Sequence, residues 1–442
     1  MKKSTKQKPL KVLFISGELI AGDLAYRLVQ EGCDVKLYIE DKSRKDCLEG
    51  MVPKTDNWKK ELKWVGKDGL IVFDDIGYGK IQDDLREKGY SVFGGSAGGD
   101  RLEKERNYCQ KIFSVCGIEP LETHDFENTD SAIAFLNEKE NQRAWVLKQN
   151  GHHSIFNYIG EMDDGSDVLS LLESYKKHLK INVPLTLQKR VRGVEIGIAR
   201  YFNGNDWIGP IEFNIEHKQL CNDHVGPLTG EMGTVIWYDN NDKNVLFQKT
   251  LAKLKPFLKK INFKGDFDIN CIINKRRVYP IEATSRFGCP STQLQDELNL
   301  SPWKEFLLAA AKGEPYSLKH KKDYGVIVSL AIPPFPSKVT DSFYIKGAEI
   351  KFKGRITKSE LNKIHFEEVS SKDKNGKKTY QIAGNNGYIA YISSSSKTIS
   401  GARKKVYSIV NKIIIPRVFY RTDIGKSFYK KDKKLLKKWG WL

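Results

Sequence analysis

Cysteine is scarce and unpatterned: seven residues, at 33, 47, 109, 116, 221, 271 and 289, an odd number with no C-x-x-C pair. That excludes a disulfide framework and a cysteine-built zinc site, and predicts free thiols in a reducing cytoplasm. Long apolar runs are missing too. Nothing approaches the roughly 18–20 apolar residues that cross a bilayer, so no membrane role is expected. The opening MKKSTKQKPL is basic but lacks the apolar core of a signal peptide. There is no internal repeat. The turn after the first strand, Gly17-Glu18-Leu19-Ile20-Ala21-Gly22, falls short of a full G-x-G-x-x-G, which weakens a dinucleotide reading.

Positive charge is abundant: 74 Lys and Arg against 55 Asp and Glu give a net +19. Residues 403–442 are the densest part and end in KKDKKLLKKWGWL, where leucines and tryptophans interleave with lysines. Such a surplus fits a nucleic-acid partner or, equally, lysines spread over solvated faces, because charge alone carries no specificity. At 442 residues the chain is too long for one core and divides into two to four domains.

The most informative stretch is KGDFDINCIINKRRVYPIEATSRFGCPSTQ, residues 264–293. Asp266 to Ile273 alternates and then turns apolar. Arg277 to Glu282 returns after a basic turn, so the pair reads as a β-hairpin. Asp268 and Glu282 then lie on adjacent strands facing one side. Two carboxylates so placed repel unless a cation lies between them, and a hard cation with oxygen ligands is the usual solution. Arg286 follows on a loop, and metal, guanidinium and loop together suit phosphoryl transfer. Taken alone, the hairpin equally fits solvated acids on one face.

Elsewhere Lys11–Ser16, a helix from Gly22 and Val35–Ile39 open a doubly wound α/β domain that leaves through Gly94-Gly95-Ser96-Ala97-Gly98-Gly99. Asp100 to Val115 reads as one charged helix. Trp145–Lys148 is a strand ending in a lysine before Gly151-His152-His153-Ser154, and a lysine so placed reaches phosphate oxygens or stands exposed before a turn. The polar, glycine-rich stretch 213–233 reads as a long functional loop. From 319 the chain becomes strand-rich. The expected units are 1–99, 100–318 with a small lobe at about 120–190, 319–428, and a basic tail 429–442.

Three motifs carry a family resemblance. Gly226-Pro227-Leu228-Thr229-Gly230-Glu231-Met232-Gly233, preceded by His217-Lys218, resembles the GPNTGGMG loop of the glycinamide ribonucleotide synthetases, ATP-grasp enzymes. Ile281-Glu282-Ala283-Thr284-Ser285-Arg286-Phe287-Gly288-Cys289-Pro290-Ser291-Thr292-Gln293 is similar to their I-E-F-N-x-R-F-G-D-P-E-T-Q, and Tyr420-Arg421-Thr422-Asp423-Ile424-Gly425 to their Y-R-x-D-I-G. The likeness spans about residues 10 to 430. It implies an α/β and α+β multidomain chain: an N-terminal Rossmann-like pre-ATP-grasp domain, a two-lobed ATP-grasp domain and a small β-rich C-terminal domain.

The resemblance also implies chemistry. The chain would be a cytoplasmic carboxylate–amine ligase using ATP and Mg2+ (or Mn2+) through an acyl phosphate, with glycine and phosphoribosylamine as substrates in purine synthesis. Lys148 and Arg286 would be catalytic. Arg106, Lys148, Gln188, Lys189, Val191 and Glu195 would bind ATP. His217, Lys218, Gly226, Pro227, Thr229, Gly230, Met232 and Gly233 would form the substrate loop, and Glu282, Asp268 and Thr284 would hold metal. The family's second metal ligand, an Asn, is Thr284 here, its G-K-G flap is Gly151-His152-His153-Ser154, and its G-D-P-E is Gly288-Cys289-Pro290-Ser291, without either acid. These departures keep two alternatives in play: a ligase acting on another amine such as a modified nucleobase, with nucleic acid as partner, and an inactive nucleotide-binding paralogue. A monomer or a dimer fits equally.

Overall fold

The computed structural model describes residues 8–148, 157–336 and 345–442; the expected flap Gly151-His152-His153-Ser154 lies outside them. The first unit is a four-stranded parallel sheet, order β2-β1-β3-β4, of β1 (Lys11–Ser16), β2 (Asp34–Ile39), β3 (Leu70–Phe73) and β4 (Ser91–Phe93). β1 and β3 are apolar on both faces because helices cover both, as a doubly wound sheet requires. The expected single helix from Asp100 to Val115 is two, Ala97–Lys104 and Arg106–Val115, broken where Glu105 takes extended backbone. The break puts Arg106 at the first position of a new helix, from which its side chain reaches Glu282.

The small lobe is an antiparallel sheet in the order β5-β8-β6-β7, made of β5 (Thr123–Phe126), β6 (Trp145–Lys148), β7 (Tyr158–Ile159) and β8 (Leu185–Lys189). Helices Thr129–Asn137 and Ser166–Ser174 pack on it. Ala132, Leu136, Trp145, Leu147, Val168, Leu172, Leu185 and Leu187 form a core of its own, separate from the main one.

β9 (Val194–Asn203) and β10 (Trp207–Glu216) begin the large sheet. Stretch 213–233 is less irregular than expected: β10 runs on to Glu216, and β11 (Gln219–Cys221) pairs with β12 (Val225–Leu228) in a short hairpin before β13 (Gly233–Asp239). β14 (Lys264–Ile273) and β15 (Val278–Thr284) form the hairpin read from the sequence. Period-two alternation sends Phe267, Ile269, Cys271 and Ile273 into the core and leaves Asp266, Asp268 and Asn270 on the other face.

The C-terminal strands divide between two sheets. β16 (Tyr324–Ala331) pairs with β13, so the antiparallel sheet runs β15-β14-β9-β10-β13-β16-β21-β18, with β18 (Ile364–Phe366) and β21 (Tyr388–Ser396). β17 (Glu349–Phe352), β19 (Val369–Lys374), β20 (Lys377–Ile382) and β22 (Ile413–Ile414) make a separate four-stranded sheet. The lysine-rich end docks inward through Phe428, Leu436 and Trp441, whose indole N–H donates to the Asn274 carbonyl at 2.9 Å. Among the described residues no helix is long and apolar enough to cross a membrane, and the seven cysteines are free.

Candidate active site

A cleft of about 510 Å³ separates the small lobe from the large sheet. Arg106, Lys148, Gln188, Lys189, Val191 and Glu195, expected at ATP, line it, as do Lys218 of the expected substrate loop and Glu282, expected at the metal. Glu216, Leu228, Ser427 and Asp432 line it as well. Lys148 reaches in from the end of β6 and Glu282 from β15.

Three cations converge on Glu282: Arg106 Nη1 at 2.7 Å from Oε2, Lys148 Nζ at 3.8 Å from the same oxygen, and Lys218 Nζ at 3.3 Å from Oε1. Burial alone would raise the Glu282 pKa, but Lys218, Lys148 and Arg106 hold it well below the usual range. Burial pushes Lys148 down to about 8, against the pull of Glu282. Lys218 also touches Glu216 at 3.0 Å and Glu195 at 3.3 Å, and these acids keep it charged despite burial. The cleft thus holds fixed cations around one carboxylate, an arrangement suited to a polyanion such as a triphosphate.

Strand register explains which residues meet. Glu282 stands opposite Asn270, Asn270 opposite Gly197, and Gly197 opposite Asn214, one row across four strands. The next row is Thr284, Asp268, Ala199 and Glu212. Asp268 therefore shares a face with Glu282 but sits one pair along, and Asn270 is its direct neighbour. Asn214 donates to Asp268 Oδ2 at 2.6 Å, across β9. Only glycine permits this at 197, since a Cβ there would lie 2.0 Å from Asn214 Oδ1.

Among the described residues no group of three His, Cys, Asp or Glu is arranged to hold a metal by itself. Oδ1 of Asp268, Asn270 and Asn214 are nevertheless buried without a hydrogen-bond partner among the described residues, on the face that carries Glu282. Orphaned oxygens beside a carboxylate fit a hard cation that takes its remaining ligands from phosphate and water. Asn270 offers the amide oxygen that Thr284 lacks. Sequence reasoning missed it because its role appears only once the strands are paired.

Gln188 and Lys189, which line the cleft, are also tied to their neighbours. Gln188 Nε2 donates to the Ile281 carbonyl at 3.2 Å, tying the small lobe to the hairpin, and Lys189 lies 3.6 Å from Glu122. Arg286 is not among the residues lining the cleft; its Nε lies 3.0 Å from Glu103 and 3.9 Å from Asp75, beside the N-terminal sheet. In the turn after the first strand, Leu19 N–H donates to Ser16 Oγ at 2.8 Å and Ala21 N–H to Asp74 Oδ2 at 2.9 Å.

The substrate-loop residues form a braced hairpin. Thr229 Oγ1 donates to the Lys218 carbonyl at 2.6 Å, Met232 is fully buried, and Gly226 and Gly233 take positive φ. Pro227 lies in β12, and Gly230 packs against Tyr388. His217 is buried, with Nδ1 donating to the Gly233 carbonyl at 3.2 Å and Nε2 accepting from Gly425 N–H at 3.0 Å. Burial pushes its pKa down to about 3, so it braces the loop as a neutral ring. Arg421 is fully buried, pairs twice with Asp423 at 2.8 Å and donates to the Gln219 carbonyl at 2.9 Å.

The chain has the two-lobed ATP-grasp fold, with cations and a carboxylate facing each other across its cleft. No family model matches the chain. The phosphoribosylamine–glycine ligase of Thermotoga maritima superposes with a TM-score of 0.68 at 19% identity, over 94% of this chain and all of that one. The biotin carboxylase domain of the Hydrogenobacter thermophilus 2-oxoglutarate carboxylase, in complex with MgADP, superposes with a TM-score of 0.60 at 14% identity, over 97% of each. In sequence, the chain is 24% identical over 359 residues to the phosphoribosylamine–glycine ligase of Clostridium acetobutylicum, covering 78% of this chain and 81% of that one. In sequence and in fold the chain is thus similar to phosphoribosylamine–glycine ligases.

Proposed function

We propose that this protein is an ATP- and Mg2+-dependent ligase that joins the carboxylate of glycine to the amine of phosphoribosylamine, in the cytoplasm, as a step of purine synthesis. The convergence of Lys148, Arg106 and Lys218 on Glu282 supports this reading most directly. The names of the homologues support the choice of substrates.

Lys148 and Arg106 exchange part of their contact with Glu282 for phosphate oxygens and hold the triphosphate in line. Glu282, Asp268 and Asn270 would hold Mg2+, which would supply positive charge against that of the triphosphate. The glycine carboxylate attacks the γ-phosphorus, the bond to ADP breaks, and an acyl phosphate forms. The amine then attacks the acyl carbon, phosphate leaves and a proton is released, giving the amide. Lys218 faces this exchange while Glu195 and Glu216 hold it charged.

Purified protein given ATP, Mg2+, glycine and fresh phosphoribosylamine should release ADP only when both substrates are present. Absence of coupled ADP release would remove this substrate pair.

A further inference from the structure

The lysine-rich end of the chain has a place in the cleft that the reaction above leaves unused. Two anchors fix it. Gly425 N–H donates to His217 Nε2 at 3.0 Å, just past the end of β10, and the Trp441 indole donates to the Asn274 carbonyl at 2.9 Å, just past the end of β14. β9 lies between those two strands in the sheet, so the segment joining the anchors crosses the strand ends beside Val194, where β9 begins. Between the anchors Phe428 stacks on Trp237 at 5.1 Å and Leu436 is fully buried, which holds the segment down.

Ser427 and Asp432 are the residues of this segment that line the cleft. Phe428–Asp432 is a π-helical turn, a winding that closes residue i on i+5 and so brings Ser427 and Asp432 to one side; such turns are often found at functional sites. Residues 426–442 hold seven lysines and one acid, and it is the acid that meets the cleft. The other acids lining the cleft, Glu195, Glu216 and Glu282, all touch Lys218; Asp432 is not among that cation's partners. Its place along the cleft decides what it can do. Val194 pairs with Ile273, three residues along the ladder from the Gly197–Asn270 pair of the Glu282 row, or ~10 Å at ~3.3 Å per residue. Apolar Val191, Val194 and Ile272 line that end of the cleft, which suits a base, and Lys148 and Arg106 line the other, which suits phosphates. A nucleotide so placed has its sugar near the strand ends that the segment crosses. A carboxylate there accepts hydrogen bonds from a pair of hydroxyls.

We propose that the C-terminal segment completes the nucleotide site, with Asp432 accepting hydrogen bonds from the ribose hydroxyls and so selecting a ribonucleotide; this rests on the nucleotide-binding part of the ligase reading above. Titration of the full chain with ATP and with 2′,3′-dideoxyATP, each with Mg2+ and without glycine or phosphoribosylamine, tests it. The unaltered protein should hold ATP about tenfold or more tightly than the dideoxy nucleotide, the scale of one charge-assisted hydrogen bond. Asp432→Ala should lose that preference by weakening ATP alone, and Asp432→Asn, which keeps an acceptor oxygen, should lose less of it. An unchanged affinity for the dideoxy nucleotide also reports a folded variant. Equal affinity of the unaltered protein for the two nucleotides, an unaltered preference in Asp432→Ala, tighter ATP binding by that variant, or equal weakening of both nucleotides overturns the proposal while the ligase reading stands. If the unaltered protein binds neither nucleotide, the ligase reading falls and this inference with it.

Discussion

Three cations share Glu282, so its loss matters to them as much as to chemistry. Glu282→Gln leaves Arg106, Lys148 and Lys218 without their common partner in a half-buried cleft. It should abolish turnover and lower stability by about 1–3 kcal/mol. A non-hydrolysable MgATP analogue should recover part of that stability, because a triphosphate returns negative charge to the same cations. Thermal melts with and without the analogue check this; an unchanged melting temperature without nucleotide would disprove it. His217 gives a pH signature. Its folded pKa is depressed from 6.5 to about 3, so the unfolded chain takes up a proton there that the folded chain refuses. Its contribution is complete above about pH 6.5 and is lost as pH falls toward 3, at most on the order of 1 kcal/mol per pH unit. His217→Gln should flatten that part of the stability–pH curve measured by urea unfolding. At this scale Lys148 and Glu282 were legible, since each ends or alternates within a short strand of clear pattern. Asn270 and Glu216 were not, because what lies across a ladder depends on register, and a one-residue slip turns every side chain to the other face.

The braced hairpin β11–β12 shows the same limit one level up. Its polarity and glycines suggested a long functional loop without naming what orders it; residues about 200 positions later hold it: Asn222 and Thr422 exchange two hydrogen bonds, at 2.7 and 3.0 Å, and Asp423 accepts from Asp223 N–H at 2.8 Å. No local pattern announces partners so distant. Arg421→Ala should leave Asp423 without its cation and cost about 2–4 kcal/mol. It should also raise the KM for ATP, since Gln219, His224 and Leu228 line the cleft. ATP titration of the variant checks this, and unchanged affinity would show the brace to be irrelevant to the cleft. The helix at 100–115 teaches a related lesson: composition predicted one continuous element, and the ion pair from Arg106 to Glu282 accompanies a break that helix propensity does not encode.

For the whole molecule, the sequence placed a change to a strand-rich unit near 319, and β16 to β22 lie beyond that point. The large sheet does not stop at that point, because β16 and β21 continue it from β13. A chain cut after residue 318 would expose the β13 edge and the apolar faces that β16 and β21 cover, an invitation to aggregate. Expressed alone, residues 1–318 should be insoluble or lack a cooperative melt; a soluble, cooperatively melting fragment would refute this. Overall architecture was readable because strand and helix periods are local signals. The joining of two expected units into one sheet was not, since it depends on pairings between distant segments.

The small lobe differs from the rest in keeping its apolar residues to itself, around Trp145 and Leu147. Among the described residues, polar links tie it to the large sheet: Gln188 on the Ile281 carbonyl and Lys148 beside Glu282. The Lys148–Glu282 link is ionic and partly buried, so added salt should weaken the join only modestly.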